Sequence, residues 1–189
     1  MDFRELMKVR RAIRDFQDRE VPQALIREII TDSCEAPSGG NVQPWSFIVI
    51  TGRDAIKRVS DESKKNILTA IEKNPELSFA KYKPILEMPE FNVFYNAPCV
   101  VYITGHKDVR SLTSDCALAA SYLMLSAADR GLGTCWIDLG SVIRDKDVRA
   151  EIGLADDHVI GSTLALGYPT AIPARPPRNE PAIHWVGPH

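Results

Sequence analysis

Three arginines stand within five residues at Arg10-Arg11-Ala12-Ile13-Arg14. A second segment, Ala36-Pro37-Ser38-Gly39-Gly40-Asn41-Val42-Gln43-Pro44-Trp45, is a tight polar loop that runs straight into the apolar stretch Phe47-Ile48-Val49-Ile50. Guanidinium forks hold phosphate oxygens through paired, charge-assisted hydrogen bonds. A row of amide and hydroxyl groups suits a planar heterocycle, and Gly39 and Gly40 let backbone approach a flat ring closely. A nucleotide-like cofactor needs both features. The net charge is −2, so the arginine cluster is not a by-product of a basic chain. The same balance gives no overall field for nucleic acid or anionic lipid.

Other chemistries lack their signatures. No G-x-G-x-x-G follows a strand, no P-loop is present, and no G-x-S-x-G elbow occurs. Gly131-Leu132-Gly133 reads as a helix stop. Cys34, Cys99, Cys116 and Cys135 form no C-x-x-C pair and read as reduced, buried small hydrophobes. His106, His158, His184 and His189 are scattered, without ligand spacing, and read as surface or capping residues; no metal site is expected. No side chain advertises itself as a general base, so any chemistry is expected to belong to a cofactor.

The elements that must carry these groups follow from patterning. The chain has 189 residues, 44% apolar and 25% charged, enough for one domain spanning 1–189 with a real core. Asp2 and Glu5 form a capping box for a first helix that ends near the arginines. Pro22 fits the first turn of a second helix, with Leu25, Ile26, Ile29 and Ile30 on one stripe and Pro37 as the stop. A strand is expected from Ser46 to Thr51 and a helix from Arg53 to Glu72. Lys73 to Asn96, with Pro75, Pro84 and Pro89, reads as an irregular excursion. A strand over 98–103, a small-residue helix from Ser111 to Arg130, a strand over 134–138, a helix near Asp145 to Glu151 and a strand over 159–166 complete the order. The small-residue helix fits either a core position or a subunit interface. The proline-rich stretch 169–189 is expected as an extended C-terminal tail, with Ala182 to Val186 able to add as an edge strand to another subunit. No apolar run approaches the ~18 residues of a membrane span. The opening residues lack a secretion-signal pattern, so a cytoplasmic location is expected.

Taken together, the segments resemble the nitroreductase family of FMN-dependent NAD(P)H oxidoreductases over nearly the whole length. The resemblance rests on Arg10 to Arg14, on Ala36 to Trp45, on Gly131 to Gly140 (GLGTCWIDLG), and on Leu166-Gly167-Tyr168-Pro169 before the Pro/Arg tail. It implies an α+β fold with a mainly antiparallel central sheet flanked by helices, in an intertwined homodimer with FMN at the interface. In that picture Arg10, Arg11 and Arg14 approach the phosphate, ribityl and pyrimidine end. Pro37, Ser38, Gly39 and Asn41 of the partner chain line the ring. The backbone of Ile137, Asp138 and Leu139 passes flavin N5, and Arg175 and Arg178 close on the phosphate. Ala12 departs from the Ser or Thr that the family often carries, and the excursion is too divergent to align.

The activity so implied moves hydride from NADH or NADPH through flavin N5 to a small electron-poor acceptor such as a nitroaromatic or quinone. The alternatives are specialised flavin chemistry (dehalogenation, dehydrogenation or flavin fragmentation) and a non-catalytic FMN-binding or storage dimer.

Overall fold

The computed structural model describes residues 2–187; Pro188 of the tail and His189 of the histidine set lie outside the described residues. The helices are α1 (Phe3–Val9), α2 (Gln23–Ser33), α3 (Arg53–Lys73), α4 (Lys83–Leu86), α5 (Leu112–Asp129) and α6 (Lys146–Glu151). The strands are β1 (Ser46–Thr51), β2 (Cys99–His106), β3 (Gly133–Trp136) and β4 (His158–Gly167). The strands form one antiparallel sheet in the order β1-β2-β4-β3.

The sheet is covered on both faces because its central strand is apolar on both. Side chains alternate along a strand. Cys99, Val101 and Ile103 therefore enter one core with Ile26 and Ile29 of α2 and Cys116, Ala119, Ala120, Leu123 and Ala127 of α5. Val100 and Tyr102 enter the opposite core with Ile56, Val59, Ile67 and Ile71 of α3 and with Phe94. The small residues of α5 serve close packing against the sheet. Gly161 sits at a bulge where the β2–β4 register shifts, and a Cβ there would lie 2.6 Å from Cys116 Sγ. The other side of α5 leaves Leu118 and Tyr122 exposed, as α1 leaves Phe3 and Met7, and Tyr122 and Phe3 line one surface hollow.

Several boundaries differ from the sequence reading. Pro22 is the N-cap of α2 rather than a first-turn residue. The third strand stops at Trp136, and Asp138 opens a single 3₁₀ turn, Asp138–Gly140, closed by Ser141 Oγ donating to Asp138 O at 2.7 Å. The excursion holds a 3₁₀ turn, Ala80–Tyr82, and the one-turn α4, then ends with Tyr95 and Asn96 at φ 56° and 54°. β2 and β4 run further than expected, to a His106–His158 pair across the sheet. These two histidines are not scattered in space: both face Asp157, with His158 Nδ1 at 2.8 Å and His106 Nε2 at 3.5 Å. The His158 hydrogen bond holds the Asp157 carboxyl below its usual range.

Cys99, Cys116 and Cys135 are buried and Cys34 is half-buried. Burial pushes the Cys99 thiol up to about 12 and Cys116 up to about 11, so both stay protonated at neutral pH. Among the described residues no helix is long and apolar enough to cross a membrane. Residues 171–187 form neither helix nor strand and are exposed throughout, Trp185 at 75% and Val186 at 99%.

Candidate functional site

The arginine segment leaves α1 as an extended arm. The Asp2 carboxylate caps the helix start through Arg4 N–H at 2.7 Å, and Arg10 is its C-cap. Beyond it, Ala12 bridges Thr134 on the outer edge of β3, with Ile13 N–H donating to Thr134 O at 2.9 Å. Gln17 N–H then donates to Tyr168 O at 2.8 Å and Thr170 N–H returns to Asp15 O at 3.2 Å. Ile13 points inward and is buried; Arg14 points out. Ile13 fits because residue 133 is glycine: a Cβ there would lie 2.5 Å from Ile13 Cγ1. Gly133→Ala is expected to lever the arm off β3 and destabilise the protein by about 1–3 kcal/mol. Chemical denaturation checks this, and a variant as stable as the parent contradicts the packing account.

The charges on the arm are crowded. Burial, then the neighbouring Arg178 and Arg11 charges, hold the Arg10 guanidinium below its usual pKa. Arg11 turns back onto α1, its Nη1 donating to Lys8 O at 2.6 Å and Arg10 O at 2.7 Å, while its Nε is buried without a partner. Arg14 is shifted the other way, chiefly by a hydrogen bond with Tyr95, whose ring centroid lies 5.7 Å from the guanidinium. The buried Cys135 thiol lies close to both; burial raises its pKa, and the charges of Arg14 and Arg10 oppose that rise. Arg175 is exposed in the same extended segment as Arg178. Among the described residues no carboxylate is paired with Arg10, Arg11 or Arg178. Gathered guanidinium groups without a counterion fit an anion with several acceptor oxygens, and a phosphate supplies that.

The polar loop is held in a strained turn. Gly39–Asn41 is a 3₁₀ turn, and Gly40, Asn41 and Gln43 have φ of 59°, 57° and 49°. Left-handed backbone is unfavourable for residues other than glycine. Local bonds offset this: Gln43 N–H donates to Ser38 Oγ at 2.9 Å, Gln43 Nε2 to Asn41 Oδ1 at 3.1 Å, and Asn41 N–H to Ser38 O at 3.0 Å. Pro37, Gly39 and Asn41 are exposed and Ser38 is half-buried. The turn is tied to α5 by Gly39 N–H donating to Asp115 Oδ1 at 3.1 Å.

The stretch Ile137-Asp138-Leu139 is fixed from α3 and β2. Ile137 N–H extends the β4 pairing to Thr163 O at 2.9 Å. Ser63 Oγ donates to Leu139 O at 2.7 Å and accepts from Val142 N–H at 3.1 Å. Tyr102 Oη donates to Gly140 O at 2.7 Å. The Glu62 carboxylate accepts from the Arg144 and Asp145 N–H groups at 3.2 and 2.9 Å. These polar groups are satisfied by one another, the condition for burying them.

Within the chain the structure brings Arg10 and Arg178 together but leaves Pro37, Ser38, Gly39 and Asn41 apart from them. The polar loop feeds β1 at Ser46, opposite Thr104. The arginine arm lies on β3 at Thr134, which pairs with Leu166 and, through it, with Cys99. Loop and arm thus sit on opposite edges of the sheet and at opposite ends of β2. Sequence reasoning missed Tyr95 beside Arg14 and Asp115 beneath Gly39. Neither carries a sequence motif; the double-asparagine setting of Tyr95, between Asn92 and Asn96, was its one available sign of a turn.

The model of the nitroreductase family matches residues 7–168. A provisionally named NADH dehydrogenase/NAD(P)H nitroreductase of Methanothermobacter thermautotrophicus is 28% identical over 178 residues, covering 92% of this chain and 80% of that one. An iodotyrosine deiodinase of Thermotoga neapolitana is 25% identical over 189 residues, 96% of each chain. The solved structure of a nitroreductase with bound FMN from Bacteroides fragilis superposes with a TM-score of 0.84 at 21% identity, covering 99% of this chain and 100% of that one.

Proposed function

Because the chain belongs to the nitroreductase family, we propose that it is an FMN-dependent oxidoreductase that uses NADH or NADPH as transient reductant and a small electron-poor molecule as acceptor. The observation that carries this reading is the grouping of Arg10, Arg11 and Arg178, with which no carboxylate is paired among the described residues. When bound, FMN supplies reversible two-electron chemistry between a nicotinamide and an acceptor such as a nitroaromatic or quinone. Arg10, Arg11, Arg178 and, from the same tail, Arg175 would hold its phosphate. Arg14, held beside the Tyr95 ring, would favour negative charge at the pyrimidine edge of the ring. Pro37, Ser38, Gly39 and Asn41 would wall the ring, and the rigid Ile137-Asp138-Leu139 backbone would meet its reactive edge without contributing a titratable acid.

Two subunits build each site in this reading. Loop and arm lie on opposite edges of one sheet, so a second copy must bring its loop to the arm. Exposed Phe3, Met7, Leu118 and Tyr122, and the exposed tail with Ile183 and Trp185, are apolar surface that a homodimer would cover.

The protein as isolated is expected to be yellow, to bleach anaerobically with NADH or NADPH, and to recolour on adding a nitroaromatic or quinone. Absorption spectroscopy checks each step. Colourless protein that gains no absorbance after reconstitution with FMN overturns the proposal, and binding without faster reduction than free flavin turns it into a store. One observation favours a second reading, reductive dehalogenation: the full-length similarity to the Thermotoga neapolitana deiodinase. Halide release from a halotyrosine by the reduced protein would select it.

A further inference from the structure

We propose that Asp115 is a positioning residue for the cofactor: from the first turn of α5 its carboxylate fixes the Gly39–Gln43 turn in the shape that walls the flavin ring. This rests on the FMN reading above. Asp115 is 3% exposed, and both of its oxygens are engaged. Oδ1 accepts from Gly39 N–H at 3.1 Å and Oδ2 from Ser111 Oγ at 2.7 Å. A carboxylate in the first turn of an 18-residue helix is also favoured by the exposed N–H groups there.

The turn needs such a tether. Three of its four residues from Gly40 to Gln43 are left-handed, two of them not glycine. The hydrogen bonds that offset this strain run within the turn itself, from Ser38 to Gln43. Among the described residues, Asp115 supplies the side-chain bond that joins the turn to another element. The packing is close on the same side: a Cβ on Gly39 would lie 3.1 Å from Ser111 Oγ. A buried carboxylate with two donors has one geometry, so it converts the fixed position of α5 into a fixed position of the Gly39 amide.

Asparagine preserves that geometry. Its Oδ1 accepts from Gly39 N–H, and Ser111 Oγ accepts from its Nδ2. Alanine removes both bonds and leaves the Gly39 N–H without a partner.

The experiment compares the native protein with Asp115→Ala, Asp115→Asn and Ser111→Ala, using FMN as the probe. Hydrogen exchange of the 39–43 amides and the visible circular dichroism of bound FMN are read alongside FMN affinity. Asp115→Ala is expected to speed exchange at 39–43 at least tenfold, to weaken FMN about tenfold or more, and to change the visible dichroic band at saturation. Asp115→Asn restores all three to within about threefold of the native protein. Ser111→Ala, which keeps the carboxylate, gives an intermediate exchange rate and serves if Asp115→Ala does not fold. Unchanged exchange in Asp115→Ala, or an asparagine variant as impaired as the alanine one, overturns the positioning role. Fast exchange in Asp115→Ala with FMN affinity and dichroism unchanged also overturns it. A native protein that binds no FMN overturns the flavin reading instead, so the two failures are distinct.

Discussion

The Arg10→Ala/Arg178→Ala double variant is expected to leave purification without flavin and to weaken FMN binding by about 3–6 kcal/mol, from about 1.5–3 kcal/mol for each charge-assisted bond lost. That is a rise in Kd of two to four orders of magnitude. Titration of the apoprotein with FMN, followed by fluorescence, measures it. The sign of the apoprotein's own stability separates this from a folding defect. Arg10 is held below its usual pKa by burial and then by Arg178 and Arg11, so removing like charge relieves repulsion. The apoprotein is therefore expected to be no less stable than its parent. What disappears is the stabilisation that bound ligand confers through mass action. An unchanged FMN Kd removes these two side chains from the proposed phosphate site.

Phe94→Ala is expected to destabilise the protein by about 3–5 kcal/mol. Phe94 is fully buried and stacks edge-on against Tyr102, with ring centroids 6.4 Å apart at 76°. Its ring also abuts the Asp138–Gly140 turn: a Cβ on Gly140 would lie 2.3 Å from Phe94 Cε1. Tyr102 in turn holds Gly140 O, and burial pushes its phenol above the usual range, so it stays a donor. Truncation at Phe94 opens a cavity under the turn that carries the Ile137-Asp138-Leu139 backbone. Urea unfolding should show a lower midpoint with an unchanged slope. A loss below about 1 kcal/mol, well short of a buried aromatic truncation, contradicts this account of the core.

Much of this architecture was legible because it is local. The short, β-branched apolar run within Ser46–Thr51 and the helical stripe from Arg53 to Glu72 each declare their own element, and the structure places both where the patterns put them, the helix closing at Lys73. The antiparallel sheet flanked by helices was implied by the family motifs rather than by patterning. What stayed hidden depends on contacts distant in sequence. Asp115 reads as an ordinary first-turn acid until Gly39 is brought to it. His106 and His158 read as isolated until β2 and β4 pair. The excursion stayed opaque for a different reason: its ordering comes from α3, where the buried Lys64 Nζ donates to Met88 O at 2.7 Å and Phe91 O at 2.8 Å. A lysine in a helix pattern is ordinarily read as solvent-facing.

The arm on β3 ties two segments about 150 residues apart into one seam, since Gln17 bonds to Tyr168 and Thr170 bonds to Asp15. During synthesis from the N-terminus, the arm emerges early and waits for a partner that appears more than a hundred residues later. Until then the apolar side chain of Ile13 and the bare margin of the nascent sheet are both uncovered, a state that favours association with other chains. Completion of the fold is thus postponed until the ribosome has delivered the stretch around Tyr168 and Thr170.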